Sequence, residues 1–358
     1  MAVAVLLLTV CLAAANGGND VSKGVATLAG AGLTRYRTAI AWGTIATLAG
    51  CLFSLTVAEK LTKLFSTGIF TETTTDEFTL AVLIGAGAWV AFATVAKLPV
   101  STTQSIAGAL VGAGVLVSSS AVDWGVLPRK ILLPTALAIG VAYGLSFLLS
   151  LIPRRVPECI CVRTAAPAMV AMPDGALAFS TPPDASAIRV TTGTVAECRV
   201  HGEERARLTV DGMHWLSSGA ASFARGLNDA PKIVAIGAFT LVPWGMTPTQ
   251  VLFVVTAAMA IGALVAGTRM ARRLGDDIVP LDHVEGAKAN LTTALLVGLS
   301  ASRGFPLSTT QVSASAIAGA SGTHPSRVNR RTIRDFVIAW TITPVAAGLV
   351  AAGVYAVA

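Results

Sequence analysis

Charge is scarce in this chain. Asp, Glu, Lys and Arg make up 13% of its 358 residues, against roughly 25% in an ordinary soluble domain. With 54% hydrophobic residues and a mean hydropathy of +0.71, a water-soluble globule is excluded. Aromatic residues are also few, at 6%, whereas glycines number 34. Helices here must pack by close approach of small residues, as they do in lipid. Histidine occurs four times, and only His214 touches an apolar stretch, at its edge. A nucleophilic enzyme needs a base beside its nucleophile. Ser101 and Ser308 have no such partner in sequence, which argues against an enzyme. The net charge of +7 sits in short runs between apolar stretches, such as Arg35/Arg37, Lys60/Lys63, Arg129/Lys130 and Arg269/Arg272/Arg273. Such runs anchor membrane topology, and no nucleic-acid partner is expected.

The length suits roughly ten spanning or partly spanning segments of about 20 residues. Apolar stretches fall near 2–15, 21–33, 38–57, 78–96, 105–121 and 131–152, then near 214–224, 232–243, 247–268, 287–304, 312–320 and 335–357. Three regions result: a first membrane half at 1–152, a polar insert at 153–213 and a second membrane half at 214–358. The insert holds six of the 16 prolines, with seven arginines balanced by seven acidic residues. Its alternating runs at 187–191 and 206–210 suit short strands of a small soluble subdomain, or a linker, expected on the cytoplasmic side. Met1 to Ala15 has the apolar core of a signal peptide but no basic flank, so a retained membrane segment is expected.

Two polar motifs each occur twice. Asn16-Gly17-Gly18-Asn19-Asp20-Val21-Ser22-Lys23 is echoed by Arg225-Gly226-Leu227-Asn228-Asp229-Ala230-Pro231-Lys232, 209 residues on. Pro99-Val100-Ser101-Thr102-Thr103-Gln104 is echoed by Pro306-Leu307-Ser308-Thr309-Thr310-Gln311, 207 residues on. Duplicated polar elements inside hydrophobic segments mark a membrane transporter.

Stretches 1–15 and 21–33 reach about 22 Å and 20 Å as helices, so they cross a ~30 Å hydrocarbon core only when joined. Gly17-Gly18-Asn19-Asp20 then falls near mid-membrane, where glycine suits a break in the helix. A carboxylate at that depth costs roughly 2.5–3.5 kcal/mol on insertion scales. Asp20 and Asp229 therefore call for a compensating cation, Na⁺ or a proton. The plainer alternative is that each Asp only caps the following helix. Lys23 and Lys232 lie three residues on, on the same face. They either neutralise the Asp or face an anionic substrate.

Ser101-x-x-Gln104 and Ser308-x-x-Gln311 fit the capping-box pattern at a helix start. A helix N-terminus is a ready anion site, and Thr102, Thr103, Thr309 and Thr310 add hydroxyls. Two such tips facing each other would surround a tetrahedral oxyanion. Gln104 and Gln311 are candidate cation ligands unless they close the capping boxes.

These paired Gly-x-Asn-Asp and Pro-[Val/Leu]-Ser-Thr-Thr-Gln elements resemble the inorganic phosphate transporter family, the sodium- or proton-coupled phosphate permeases. The resemblance covers both halves and excludes the insert. It implies an all-α polytopic protein of the cell membrane, with two inverted-topology repeats, broken helices and re-entrant hairpins. The expected activity is secondary active import of phosphate coupled to Na⁺ or H⁺, with no cofactor. The family's substrate site maps onto Asn19, Ser101, Thr102, Thr103, Asn228, Ser308, Thr309 and Thr310. Its cation positions map onto Asp20 and Asp229, and Glu59 matches an acidic residue that the family carries after its second apolar segment. Three features depart: the second half has no matching Glu, Arg225 stands where His is common, and Gln104 and Gln311 stand where many members carry His. A sulfate permease on the same scaffold is the first alternative and a passive anion channel the second. A homo-oligomer is left open. In the insert, Cys159, Cys161, Cys198 and His201 offer four soft ligands for zinc. Unpaired thiols in a reducing cytoplasm are the plainer reading.

Overall fold

A computed structural model describes residues 1–152, 159–164, 168–171, 177–180, 188–193 and 204–358. The chain divides into two compact bodies, one of Met1–Ile152 with Ser217–Ala358 and the other of Pro153–Leu216.

The large body is helical. In the first half run α1 (Ala2–Asp20), α2 (Ser22–Gly30), α3 (Tyr36–Val57), α4 (Glu59–Lys63), α5 (Asp76–Val95), α6 (Thr102–Val117) and α7 (Leu133–Ser150). π-Helical turns at Leu64–Gly68 and Leu127–Leu132 lead out of α4 and into α7. In the second half run α8 (Val210–Leu241), α9 (Pro248–Gly275), α10 (His283–Arg303), α11 (Thr309–Gly319) and α12 (Arg330–Val357). Among the described residues six helical stretches are long and apolar enough to cross a membrane, so this is a multi-pass membrane protein. α6 and α11 are shorter. At 1.5 Å per residue they reach about 24 Å and 17 Å, less than the hydrocarbon core. Each closes a helical hairpin, α5 with α6 and α10 with α11.

The halves exchange partners. α1, first in its half, lies on α9, second in the other. α8 lies on α3 in the same way, with Gly50 against the Phe223 carbonyl and Gly226 against the Thr47 carbonyl. The α5–α6 hairpin packs on α12, and the α10–α11 hairpin packs on α7. Glycine makes these approaches feasible. A Cβ at Gly262 of α9 would stand 1.9 Å from the Ala14 carbonyl oxygen. One at Gly108 of α6 would stand 2.1 Å from the Pro344 carbonyl oxygen.

The expected break at the first motif is slight. Only Val21 separates α1 from α2. It keeps helical dihedrals (φ −57°, ψ −31°), and its N–H reaches the Gly17 carbonyl. In the second copy, stretches 214–224 and 232–243 merge into the 32-residue α8, with Pro231 inside it. The physical reason lies in packing. Gly17 meets the Met259 carbonyl and Gly18 meets Ala266, so these glycines admit α9 instead of bending the chain.

The small body carries strands β1 (Cys159–Thr164), β2 (Ala168–Ala171), β3 (Leu177–Ser180), β4 (Ile188–Gly193) and β5 (Glu204–Thr209). They form antiparallel sheets in the order β4-β1-β5 and β2-β3. The two alternating runs of the sequence therefore correspond to β4 and β5.

Candidate functional site

The two hairpin tips meet each other inside the large body. Each short helix is capped by its serine: Ser101 Oγ accepts from the Gln104 N–H (3.2 Å) and Ser308 Oγ from the Gln311 N–H (3.3 Å). The threonines cross over. Thr310 Oγ1 donates to the Val100 carbonyl (2.6 Å), and Thr103 Oγ1 donates to the Leu307 carbonyl (3.4 Å). Each threonine thus holds the backbone just before the opposite cap. Trp340 Nε1 steadies the first tip through the Pro99 carbonyl (2.9 Å).

The Asn-Asp motifs close on these tips. Lys23 Nζ pairs with Asp20 Oδ1 and donates to the Val100 carbonyl (3.3 Å). Asn16 Nδ2 donates to Asp20 Oδ2 (3.1 Å) and to Thr102 Oγ1 (2.9 Å). Asn19 Nδ2 donates to the Leu98 carbonyl (3.1 Å). In the second copy Lys232 Nζ donates to Asp229 Oδ1 (3.1 Å) and to Thr103 Oγ1 (2.5 Å). Asn228 Nδ2 donates to Asp229 Oδ1 (2.9 Å) and to the Leu307 carbonyl (2.9 Å). Ser313 Oγ ties α11 back to the Lys23 carbonyl (3.0 Å). The Asn, Asp, Lys, Ser and Thr residues of all four motifs are buried. Both lysines therefore neutralise their aspartates and touch the first tip, at Val100 and at Thr103, at the same time.

Not every sequence candidate belongs here. Glu59 is exposed. It opens α4, where a carboxylate is stabilised by the positive helix end, and it takes no place in the cluster. Gln104 and Gln311 do not close their capping boxes, because both Oε1 atoms are buried without a partner among the described residues. Gln104 also lines an otherwise apolar cavity of about 520 Å³ with Gly108 and Pro344. In the insert, Cys159 and Cys161 stand two apart on β1 with their sulfurs 3.4 Å apart. Cys161 is disulfide-bonded. A sulfur so held is not the thiolate that zinc requires, and the expectation of unpaired thiols fails at that residue. Cys198 and His201 lie outside the described residues.

Sequence reasoning passed over Asn16 and, as a site residue, Arg225. Both lie one helical turn before an Asp, on its face, and that spacing was the available signal.

The family profile described as the Phosphate transporter family matches residues 16–351. The chain belongs to the phosphate transporter family. It is therefore a transporter and not an enzyme. A probable low-affinity inorganic phosphate transporter of Rhizobium meliloti is 28% identical over 350 residues, covering 95% of this chain and 91% of the relative. One of the same description from Mycobacterium tuberculosis is 27% identical, covering 95% and 73%. A putative phosphate permease of Pyrococcus abyssi is 26% identical, covering 98% and 96%. A solved structure described as the sodium-dependent phosphate transporter superposes with a TM-score of 0.71 at 18% identity, over 99% of this chain and 98% of that one. The membrane body thus has the fold of a phosphate transporter.

Proposed function

We propose that this protein is a secondary active transporter that imports inorganic phosphate with a coupling cation, Na⁺ or H⁺. The observation that carries this reading is the meeting of two capped helix tips and two buried Asp–Lys pairs in one cluster. The tips supply N-terminal backbone donors and hydroxyls for an oxyanion. Ser101, Thr102, Thr103, Ser308, Thr309, Thr310, Asn19 and Asn228 hold the substrate in this account.

The two aspartates differ in what they have left to offer. Asp20 has both oxygens engaged, by Lys23 and Asn16. Asp229 Oδ2, Asn228 Oδ1 and Gln311 Oε1 are buried and have no partner among the described residues. Pro231 lacks an N–H, so α8 cannot close its usual bond on the Leu227 carbonyl. Buried acceptor oxygens without partners are what a desolvated cation needs, and Asp229 is the coupling position in this account. Cation loading there lowers the negative potential beside the tips, so anion and cation bind each other's favoured state. The exchange of partners between halves supports two inverted repeats that rock about the shared site. An open cavity of about 620 Å³ is lined by Arg35, Arg37, Lys97, Arg269, Arg272 and Arg273 against the single carboxylate of Asp277, a net positive lining that favours anions.

The test is counterflow in proteoliposomes with labelled phosphate and labelled sulfate, in Na⁺ and Na⁺-free buffer at two pH values. Phosphate exchange that accelerates with one cation gradient supports the proposal. Faster sulfate exchange identifies a sulfate permease, and flux with no cation dependence identifies a passive channel.

A further inference from the structure

Position 225 is where the two copies of the site part company. Asn16 and Arg225 stand at matching places, one turn before Asp20 and Asp229. Asn16 bridges its aspartate to the tip threonine, through Asp20 Oδ2 and Thr102 Oγ1. Arg225 does nothing of the kind. Its side chain is 2% exposed, yet Nε and both terminal nitrogens lack any hydrogen-bond partner among the described residues. Asp229 Oδ2, one turn away, is equally unpartnered.

A guanidinium carries five N–H donors, and burying it unpaired is costly. Charge makes the same point. Asp20 with Lys23 and Asp229 with Lys232 cancel as pairs. Arg225 is the fifth buried charge of the cluster and has no opposite among the described residues. It stands one helical turn before Asp229 on the same helix, and so adjoins the same site. With asparagine in both positions the cluster would be neutral. With arginine in one it carries a net +1.

We infer that Arg225 is a substrate-binding residue, whose guanidinium grips the phosphate oxyanion while the site is closed to water. This deepens the reading of the chain as an oxyanion transporter and rests on it. The planar fork of Arg engages two oxygens of a phosphate at once. The anion also supplies the missing negative charge, so occupancy and electroneutrality of the buried cluster coincide. Asp229, freed from any pairing with Arg225, keeps Oδ2 for the coupling cation. The two unlike halves of the site thereby divide the labour: the Asp20 carboxylate is satisfied within its own copy, and the second copy receives both solutes.

The experiment is thermal unfolding of the detergent-solubilised full chain with inorganic phosphate, with sulfate, and with chloride at matched ionic strength, for the unaltered protein, R225Q, R225N and R225K. Phosphate is expected to raise the melting temperature of the unaltered chain. In R225Q and R225N its apparent affinity falls by about tenfold or more, as a charge-assisted pair is lost. R225K keeps part of it, as a point charge without the fork. In the absence of phosphate, R225Q and R225N melt no lower than the unaltered chain, because an unpaired buried charge has gone. Phosphate affinity in R225Q and R225N within about twofold of the original, or a drop in their ligand-free melting temperature, overturns the inference and leaves the transport reading standing. No stabilisation of the unaltered chain by either oxyanion overturns the transport reading itself.

Discussion

Thr103 and Thr310 each hydrogen-bond the carbonyl at the foot of the other's helix, at Leu307 and Val100. The two tips are therefore one unit, and anything that parts them opens the proposed anion site. The threonines are not equivalent, however. Thr103 Oγ1 also accepts from Lys232 Nζ at 2.5 Å, whereas Thr310 makes a single short bond. Thr310→Val is expected to cost about 1 kcal/mol, the net worth of one hydrogen bond. Thr103→Val also deprives a buried ammonium of an acceptor and is expected to cost about 1.5–3 kcal/mol. Thermal unfolding in detergent checks the order, and equal losses would count against the asymmetry.

The Asp–Lys pairs make a second prediction. Lys232→Met leaves the Asp229 carboxylate buried with its ammonium gone, and breaking a buried pair from one side costs about 3–5 kcal/mol. Adding Asp229→Asn to Lys232→Met is expected to restore most of that stability. The double-mutant cycle then gives a coupling energy of about 1 kcal/mol or more. Additive losses would mean that the pair is not formed.

Close helix packing makes a third. Gly262→Ala places a methyl 1.9 Å from the Ala14 carbonyl oxygen, so α1 and α9 must separate. Folded yield in the membrane is expected to collapse. Gly140 lies in α7 with no heavy atom within 4 Å of an added Cβ. Gly140→Ala is expected to gain about 0.5–1 kcal/mol through helix propensity alone. Size-exclusion profiles and melting temperatures of the two variants provide the comparison.

Backbone geometry makes a fourth. Lys97, in the linker from α5 to α6, has φ +57°, and Gly304, 207 residues on, has φ +81°. Both copies thus turn through the left-handed region, but only the second uses glycine. That conformation costs a side-chain-bearing residue roughly 1–2 kcal/mol. Lys97→Gly is expected to raise stability by about 0.5–1 kcal/mol after the entropy of glycine is counted, read as an upward shift in melting temperature.

Much of this was legible in the chain. The repeat, the capped tips at Ser101 and Ser308 and the buried Asp–Lys spacing follow from motif order and helical period. Other features were not. Gly17 and Gly18 suggested a break because sequence shows a glycine's freedom but not the α9 backbone lying against it. Glu59 looked like a site residue because its motif position gives no account of exposure. Gln104 and Gln311 suited capping boxes, a pattern that cannot show which way a side chain turns. Arg225 stood out only as a departure, and its lack of partners among the described residues emerges once α8 is packed among its neighbours.

The central claim is that Asp229 couples cation to oxyanion at the joined tips. The direct measurement compares Asp229→Asn with the unaltered chain for cation-gradient-driven phosphate uptake in proteoliposomes, at matched amounts of inserted protein. The account predicts that coupled uptake is abolished while insertion is intact. Full uptake with unchanged ion dependence would contradict it.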